Sequence, residues 1–354
     1  MSAGGAERVA SVMLQHWAES DVTVELLTLN ASAADHYQLP KGISRRVLNT
    51  NWDSKNSLHG LYSNFKRLLL IRREILSSAP DVVISFIDRT NIMVLSSLLG
   101  SGIPVIVSER IDPTVYRIGR SWSMLRKLVY RFASHVVVQT ESAAVWALTH
   151  TQPDKISIIQ NPVSFLPEPA AWTARKNQVV SMGRMVPQKG FDVLVQAFAS
   201  SRARDLGWRL VLIGDGPDRK DIERFVQELG IQRLTEFTGV IRAPADVLNE
   251  SKIFVLASRF EGFPNALLEG MAMGCACVVT DCRSGPAEIV RDMQNGLLVP
   301  VEDHDRLTDA INRMVDFPGE AQGYAAQAIE VRAKNSIDQI MAPWDKLLAA
   351  VHKQ

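Results

Sequence analysis

Cysteine is scarce in this sequence. Cys275, Cys277 and Cys282 are the only three among 354 residues, and they sit in one short stretch. No fourth thiol and no nearby histidine completes a zinc set. They read as small core residues beside a strand. No disulfide framework is expected, and a reducing compartment fits. Net charge is equally scarce: 39 Lys and Arg against 38 Asp and Glu leave +1. A chain that wraps nucleic acid over its whole surface would be far more basic, so none is expected as a partner. No run of about 18 apolar residues is present, which excludes a membrane-spanning helix. Met1 to Arg8 does not read as a signal peptide. A secreted or integral-membrane protein is therefore not expected.

What is present is an ordinary globular composition, 46% hydrophobic and 22% charged. At roughly 100–200 residues per domain, the length predicts two domains. Short apolar runs read as buried parallel strands: 22–29, 82–86, 105–108 and 136–139, then 178–182, 209–213, 253–257 and 276–280. Stretches of helical periodicity, such as 65–76 and 222–229, lie between them. This alternation predicts an α/β chain of doubly wound parallel sheets. The proline-rich stretch after Asn161-Pro162 reads as a linker. It divides the chain into residues 1–162, a linker 163–175, a second domain 176–335 and a terminal helix 336–354 that is expected to pack back on the first domain. The first 162 residues carry a net charge of +4 and the remainder −3. A basic first half suggests that it meets an anionic surface. In a doubly wound domain a strand precedes the glycine loop. Here Gly4-Gly5 follows almost directly on Met1, so the first strand of the N-terminal sheet is missing from the reading. The expectation is that an apolar strand precedes Met1 in the native protein.

Four motifs carry possible chemistry. Glu261-Gly-Phe-Pro-Asn-Ala-Leu-Leu-Glu269 follows the strand 253–257 and opens a helix. Two carboxylates at that spacing suit a polyhydroxylated ligand, because they accept hydrogen bonds and sugars donate many. Backbone N–H groups of Asn265 and Ala266 at the helix start suit an anion. The same spacing also suits a plain cap at Glu261 and a solvated face at Glu269. The second motif runs from Gly183-Arg184 to Lys189-Gly190-Phe191. It places two cations near another helix start, an arrangement suited to a diphosphate, although a solvated basic loop has the same composition. The third, Gly214-Asp-Gly-Pro217, reads first as a turn. The fourth is the Gly4-Gly5 pair, which opens the first helix and by itself says little about phosphate.

Together these motifs make the second half resemble the donor-binding domain of retaining GT-B glycosyltransferases of glycosyltransferase family 4. The matching text continues through Ala272-Met-Gly274, Val279-Thr280-Asp281, Glu288 and Asn295-Gly296. Gly4-Gly5-Ala-Glu-Arg, Ile84 to Asp88 with Asn91, Val107-Ser-Glu-Arg110 and Ser284-Gly-Pro look like the branch that includes bacterial N-acetylgalactosaminyltransferases of lipid-linked glycan assembly. The resemblance implies two Rossmann-like domains facing a cleft. It assigns the donor diphosphate to Arg184 and Lys189, the transferred sugar to Glu261 and the ribose to Glu269. Gly183 and the backbone around Phe263, Pro264, Asn265 and Ala266 line the same donor, with Gly4-Gly5 closing on it from the other domain. Fixed cations and a helix start stabilise the departing diphosphate, so no metal or other cofactor is expected.

Many relatives carry a histidine where this chain has Glu109-Arg110. Arg110 cannot serve as a base at neutral pH. It suits a phosphate or a sugar hydroxyl instead. Asp88 and Asn91 follow the strand 82–86 at the end where such sheets bind ligands, and with Glu109 and Arg110 they form the acceptor-side set. Residues 116–132 interleave Arg117, Arg120, Arg126, Lys127 and Arg131 with Trp122, Tyr130 and Phe132. They read either as a basic amphipathic helix on anionic lipid or as a surface helix with its aromatics packed inward. The segment 65–76 is a second candidate.

The leading functional expectation is retaining transfer of a hexosyl or N-acetylhexosaminyl unit from a UDP-sugar to a lipid-linked saccharide. The site of action would be the cytoplasmic face of the membrane. An enzyme of the same fold with a soluble acceptor, and a non-catalytic nucleotide-sugar-binding subunit, are the alternatives. Intact Arg184, Lys189, Glu261 and Glu269 argue against the latter. A dinucleotide-dependent dehydrogenase is disfavoured, because no Gly-x-Gly-x-x-Gly follows a first strand.

Overall fold

The apolar runs form strands because they are rich in Val, Ile and Leu and are bounded by turn residues. A computed structural model of the chain describes residues 5–29, 39–50, 57–163, 166–283 and 285–352, so Gly4 and Ser284 lie outside the described residues. The strands are β1 (Glu25–Thr28), β2 (Ser44–Val47), β3 (Val83–Phe86), β4 (Val105–Ser108), β5 (His135–Val138), β6 (Ile156–Ile158), β7 (Lys176–Met182), β8 (Arg209–Ile213), β9 (Thr235–Gly239), β10 (Ser251–Leu256), β11 (Ala276–Thr280) and β12 (Leu297–Val299). All of their pairings are parallel. The chain divides into two units, Met1–Pro162 with Ile337–Gln354, and Val163–Ser336.

In the second unit the strand order is β12-β11-β10-β7-β8-β9. The chain starts in the middle at β7, winds outward through β8 and β9, then crosses back to β10 and winds the other way. The reversal lies between β7 and β10, whose loops leave side by side at their carboxyl ends, where such sheets bind ligands. Apolar residues bury both faces of the sheet. Leu194, Phe198 and Leu212 belong to one cluster and Phe254, Leu267 and Met271 to the other. All three cysteines are buried. Residues read as a linker belong to this unit: Val163 and Leu166 pack on its core. The Arg175 guanidinium donates to the carbonyls of Ala170, Ser251 and Met273.

In the first unit β3-β4-β5-β6 form one sheet and β1-β2 another. No strand precedes α1 (Gly5–Ala18) among the described residues. The other helices of this unit used below are α2 (Ser57–Ser78), α3 (Asp88–Ser97), α4 (Arg120–Val129) and α5 (Glu141–Ala147). Strand alternation sorts β4 between two cores. Ile106 joins Val9, Met13 and Val137, whereas Val107 joins Ile92, Tyr130 and Val136. Within this unit the terminal helix Ile337–His352 sends Ile340, Met341 and Trp344 into the cluster of Val9 and Met13. Trp17 Nε1 donates to Asp345 at 2.8 Å.

Candidate active site

The basic loop leaves β7 at Gly183 and ends where Gly190 opens the helix α6 (Phe191–Ala199). Two close approaches hold it. Gly190 has φ +61, and a Cβ there would fall 2.1 Å from the Ala257 carbonyl oxygen at the end of β10. Gly214 has φ +127, and a Cβ there would fall 2.0 Å from the Gly183 carbonyl oxygen. Gly214-Asp-Gly-Pro217 is thus a turn that also presses its backbone on the basic loop. Met185 N–H donates to the Asp215 carbonyl at 2.9 Å, and Asp218 N–H to the Met185 carbonyl at 3.2 Å.

The carboxylate loop leaves β10 and reaches the helix Asn265–Ala272. Glu261 is buried, and its Oε1 accepts from Lys189 Nζ and from Ser258 Oγ, both at 2.6 Å. The cap reading of Glu261 is set aside: Pro264 occupies the N-cap and no side chain caps this helix. The solvated-face reading of Glu269 is set aside as well, since that residue is only 5% exposed. At the helix start Asn265 N–H donates to the Phe263 carbonyl at 3.0 Å. Phe263 and Pro264 are buried, with Pro264 against Gly285. Asn265 and Ala266 are partly exposed.

Arg184 stands exposed on the loop, while the Lys189 stem packs on Gly183, where a Cβ would lie 3.4 Å from Lys189 Cδ. The structure therefore brings Gly183, Lys189 and Glu261 together and leaves Arg184 facing solvent. Burial, reinforced by the Glu261 carboxylate, pushes the Cys282 thiol up to about 12, which makes it a poor nucleophile. Among the described residues no group of three or more His, Cys, Asp or Glu is arranged to hold a metal ion.

Sequence reasoning missed three contributors to this site. Ser258 shares Glu261 with Lys189. Gln188 Nε2 donates to the Phe260 carbonyl at 2.9 Å. Arg259 N–H donates back to the Gln188 carbonyl at 2.8 Å. Only the close spacing of Ser258 to Glu261 was available as a signal.

The residues expected on the acceptor side separate into two groups within the first unit. Past β4 the alternation continues, so Glu109 and Arg110 point to opposite faces. Glu109 accepts a short hydrogen bond from Tyr130 and has Arg126 at 3.7 Å. Burial pushes its carboxyl up to about 7, against the pull of Tyr130 and Arg126 and with a push from Asp88. Asn91 is fully buried and donates to the Ser108 carbonyl at 3.0 Å and to Tyr130 Oη at 3.3 Å. Asp88 is buried at the start of α3, with Oδ1 accepting from Arg89 N–H. Arg110 instead lies over the Phe86 ring at 4.8 Å and donates to Asn161 Oδ1 at 2.7 Å. Burial lowers its pKa to about 9. It is engaged within its own domain and not presented as a free cation.

The basic aromatic segment needs one correction. Arg126 does not face solvent. It is buried beside Glu109, with its guanidinium 4.5 Å over the Trp146 ring. Tyr130 is also buried. Met124, Leu125, Leu128 and Phe132 are exposed alongside Arg120, Lys127 and Arg131. On α2, Tyr62, Phe65, Leu69 and Leu76 are exposed. No helix among the described residues is long and apolar enough to cross a membrane.

The sequence matches Glycosyltransferase Family 4 over residues 3–165 and Glycosyl transferases group 1 over residues 176–316. It is 26% identical to a Campylobacter jejuni enzyme, the GalNAc-alpha-(1->4)-GalNAc-alpha-(1->3)-diNAcBac-PP-undecaprenol alpha-1,4-N-acetyl-D-galactosaminyltransferase, over 99% of this chain and 96% of that protein. Among solved structures, a sucrose-phosphate synthase from Thermosynechococcus elongatus aligns over 99% of this chain and 94% of its own, with TM-score 0.85 and 18% identity. Anabaena HepE, solved in complex with UDP and glucose, aligns over 99% and 97%, with TM-score 0.81 and 16% identity.

Proposed function

The chain belongs to the family 4 and group 1 glycosyltransferases and has the GT-B fold; on that footing we propose that it moves a hexosyl or N-acetylhexosaminyl unit from a UDP-sugar to a lipid-linked saccharide, with retention at the anomeric carbon. The observation that carries the reading is the Lys189–Glu261 contact at 2.6 Å, which joins the cationic loop and the carboxylate loop at the switch point of one sheet. Arg184 and Lys189 hold the donor diphosphate and stabilise the charge that grows as UDP departs. Glu261 accepts from hydroxyls of the transferred sugar and Glu269 from the ribose. A cationic loop meets the leaving group without a metal, so turnover in EDTA is part of the proposal.

The Campylobacter jejuni relative acts, by its name, on an undecaprenol diphosphate glycan. That supports a lipid-linked acceptor here. The exposed apolar and basic residues of α4, with those of α2, suit an anionic membrane surface and support action at the cytoplasmic membrane face. The test is incubation of UDP-sugars and, in parallel, non-uridine nucleotide sugars with an extract of lipid-linked saccharides or with soluble sugars, read by mass spectrometry and by the anomeric configuration of the product. One added hexose or N-acetylhexosamine on the lipid-linked species, with the donor's configuration kept, is expected. Transfer only to a soluble sugar overturns the acceptor. Turnover only with a non-uridine donor overturns the donor.

A further inference from the structure

Arg259 sits between Ser258 and the Glu261 signature, and its side chain turns back to the basic loop. Nη1 donates to the Pro187 carbonyl at 2.5 Å. Nη1 and Nη2 fork onto the two oxygens of Asp192 at 3.1 and 2.7 Å. Nε donates to Glu302 Oε1 at 2.7 Å. Its backbone N–H meets the Gln188 carbonyl at 2.8 Å. The partners come from the basic loop, the first turn of α6 and the loop after β12. Glu302 holds φ 62, a backbone region unusual for a residue with a Cβ, while delivering its carboxylate to Arg259. Isolated surface ion pairs contribute little, but a forked guanidinium with its donors distributed over three partners fixes geometry.

We propose that Arg259 is a positioning residue that sets the register of the loop 183–190 against the loop 257–264, so that Lys189 already lies on Glu261 before a donor arrives. Lys189 is two residues from Pro187 and three from Asp192, the groups that Arg259 grips. Glu261 is two residues beyond Arg259 itself. Releasing the grip lets the two loops move apart, and an incoming donor must then order them at a cost in affinity. The proposal rests on the reading of this site as the donor site.

The experiment uses the full chain and four variants: Arg259→Ala, Arg259→Lys, Asp192→Ala and the Arg259→Ala, Asp192→Ala double variant. Amide hydrogen exchange is followed without nucleotide, UDP binding by calorimetry, and kcat and KM with a UDP-sugar. Arg259→Ala should speed exchange about tenfold in 186–190 and 259–262, and leave β7, β10 and the helix His304–Asp316 protected. UDP binding should weaken about tenfold, and KM should rise more than kcat falls. Arg259→Lys should be intermediate, because an ammonium keeps the charge but not the fork. Asp192→Ala should give a smaller effect of the same kind and add little in the Arg259→Ala background. Wild-type loop exchange in Arg259→Ala overturns the proposal. So does faster exchange across the whole second unit, which marks a merely structural role. Independent, multiplying effects of the two alanines overturn it too. Faster loop exchange in a protein that binds no UDP at all sustains the positioning role and defeats the donor-site reading instead.

Discussion

Lys189 and Glu261 are 72 positions apart in the chain and meet at 2.6 Å between Nζ and Oε1. The two partners are not equally buried: the lysine side chain is 20% exposed and the glutamate side chain 5%. Removing one partner of a buried pair leaves an uncompensated charge, and that costs most where the stranded group cannot reach water. Lys189→Ala should therefore destabilise the second unit by roughly 3 kcal/mol, because among the described residues Glu261 keeps only Ser258. Glu261→Ala should cost about 1 kcal/mol, because a lysine can extend into solvent. Urea unfolding of the two variants checks the order, and equal losses would contradict it.

Arg184 offers the complementary case. It is exposed, so Arg184→Ala should change stability by no more than about 0.5 kcal/mol. Loss of one charged hydrogen bond to a diphosphate, roughly 1.5–3 kcal/mol, should weaken UDP binding about ten- to a hundredfold. Calorimetry with UDP decides this, and unchanged affinity would remove Arg184 from the donor site.

The two carboxylates of the signature should separate in binding and turnover. Glu269→Ala should weaken UDP itself. Glu261→Ala should retain most UDP affinity and reduce turnover with UDP-sugar. The opposite pattern would exchange the two roles.

Glu109 should make stability depend on pH. Its folded pKa of about 7 lies above the ordinary value of 4.5, chiefly through burial. Between those values the folded state holds a proton that the unfolded state has released, so its stabilising contribution is present at low pH and lost as pH rises towards 7. A shift of that size corresponds to roughly 3 kcal/mol. Glu109→Gln can still accept from Tyr130, and its unfolding midpoint should fall less than that of the native protein between pH 5 and 7.5. Parallel pH profiles would show that Glu109 does not titrate in this window.

Membrane attachment should depend on the exposed cations of α4 and its flank, not on Arg126. Arg120→Glu, Lys127→Glu and Arg131→Glu together should reduce binding to anionic vesicles, at about 1 kcal/mol per cation, and leave UDP binding intact. Arg126→Glu should instead destabilise the first unit, since it sets a second carboxylate beside Glu109. Normal sedimentation of the triple variant would move the attachment site elsewhere, with the exposed face of α2 as the next place to test.

What was legible in the sequence was local. The strands β4, β8 and β11 appear as uninterrupted apolar runs, because a parallel strand buried on both faces has no polar side to show. The Gly183 to Lys189 loop and the Glu261 to Glu269 signature were readable because each lies within one strand–loop–helix passage. Short or polar strands escaped for the converse reason: β2 is Ser-Arg-Arg-Val, β6 has three residues, and β9 runs Thr-Glu-Phe-Thr-Gly at a sheet edge. Only the tertiary structure decided which local pieces meet. Lys189 reaches Glu261 because β10 crosses back to lie beside β7, a strand order that no short window of sequence encodes. Arg126 turns inward because Glu109 waits across the packing of α4, although its own neighbours in sequence read as a solvent-facing basic helix. Hydrophobic pattern acts over a few residues and sets the elements. Charge pairing and backbone close approach act between elements, and they take effect only once the sheet order has placed those elements side by side.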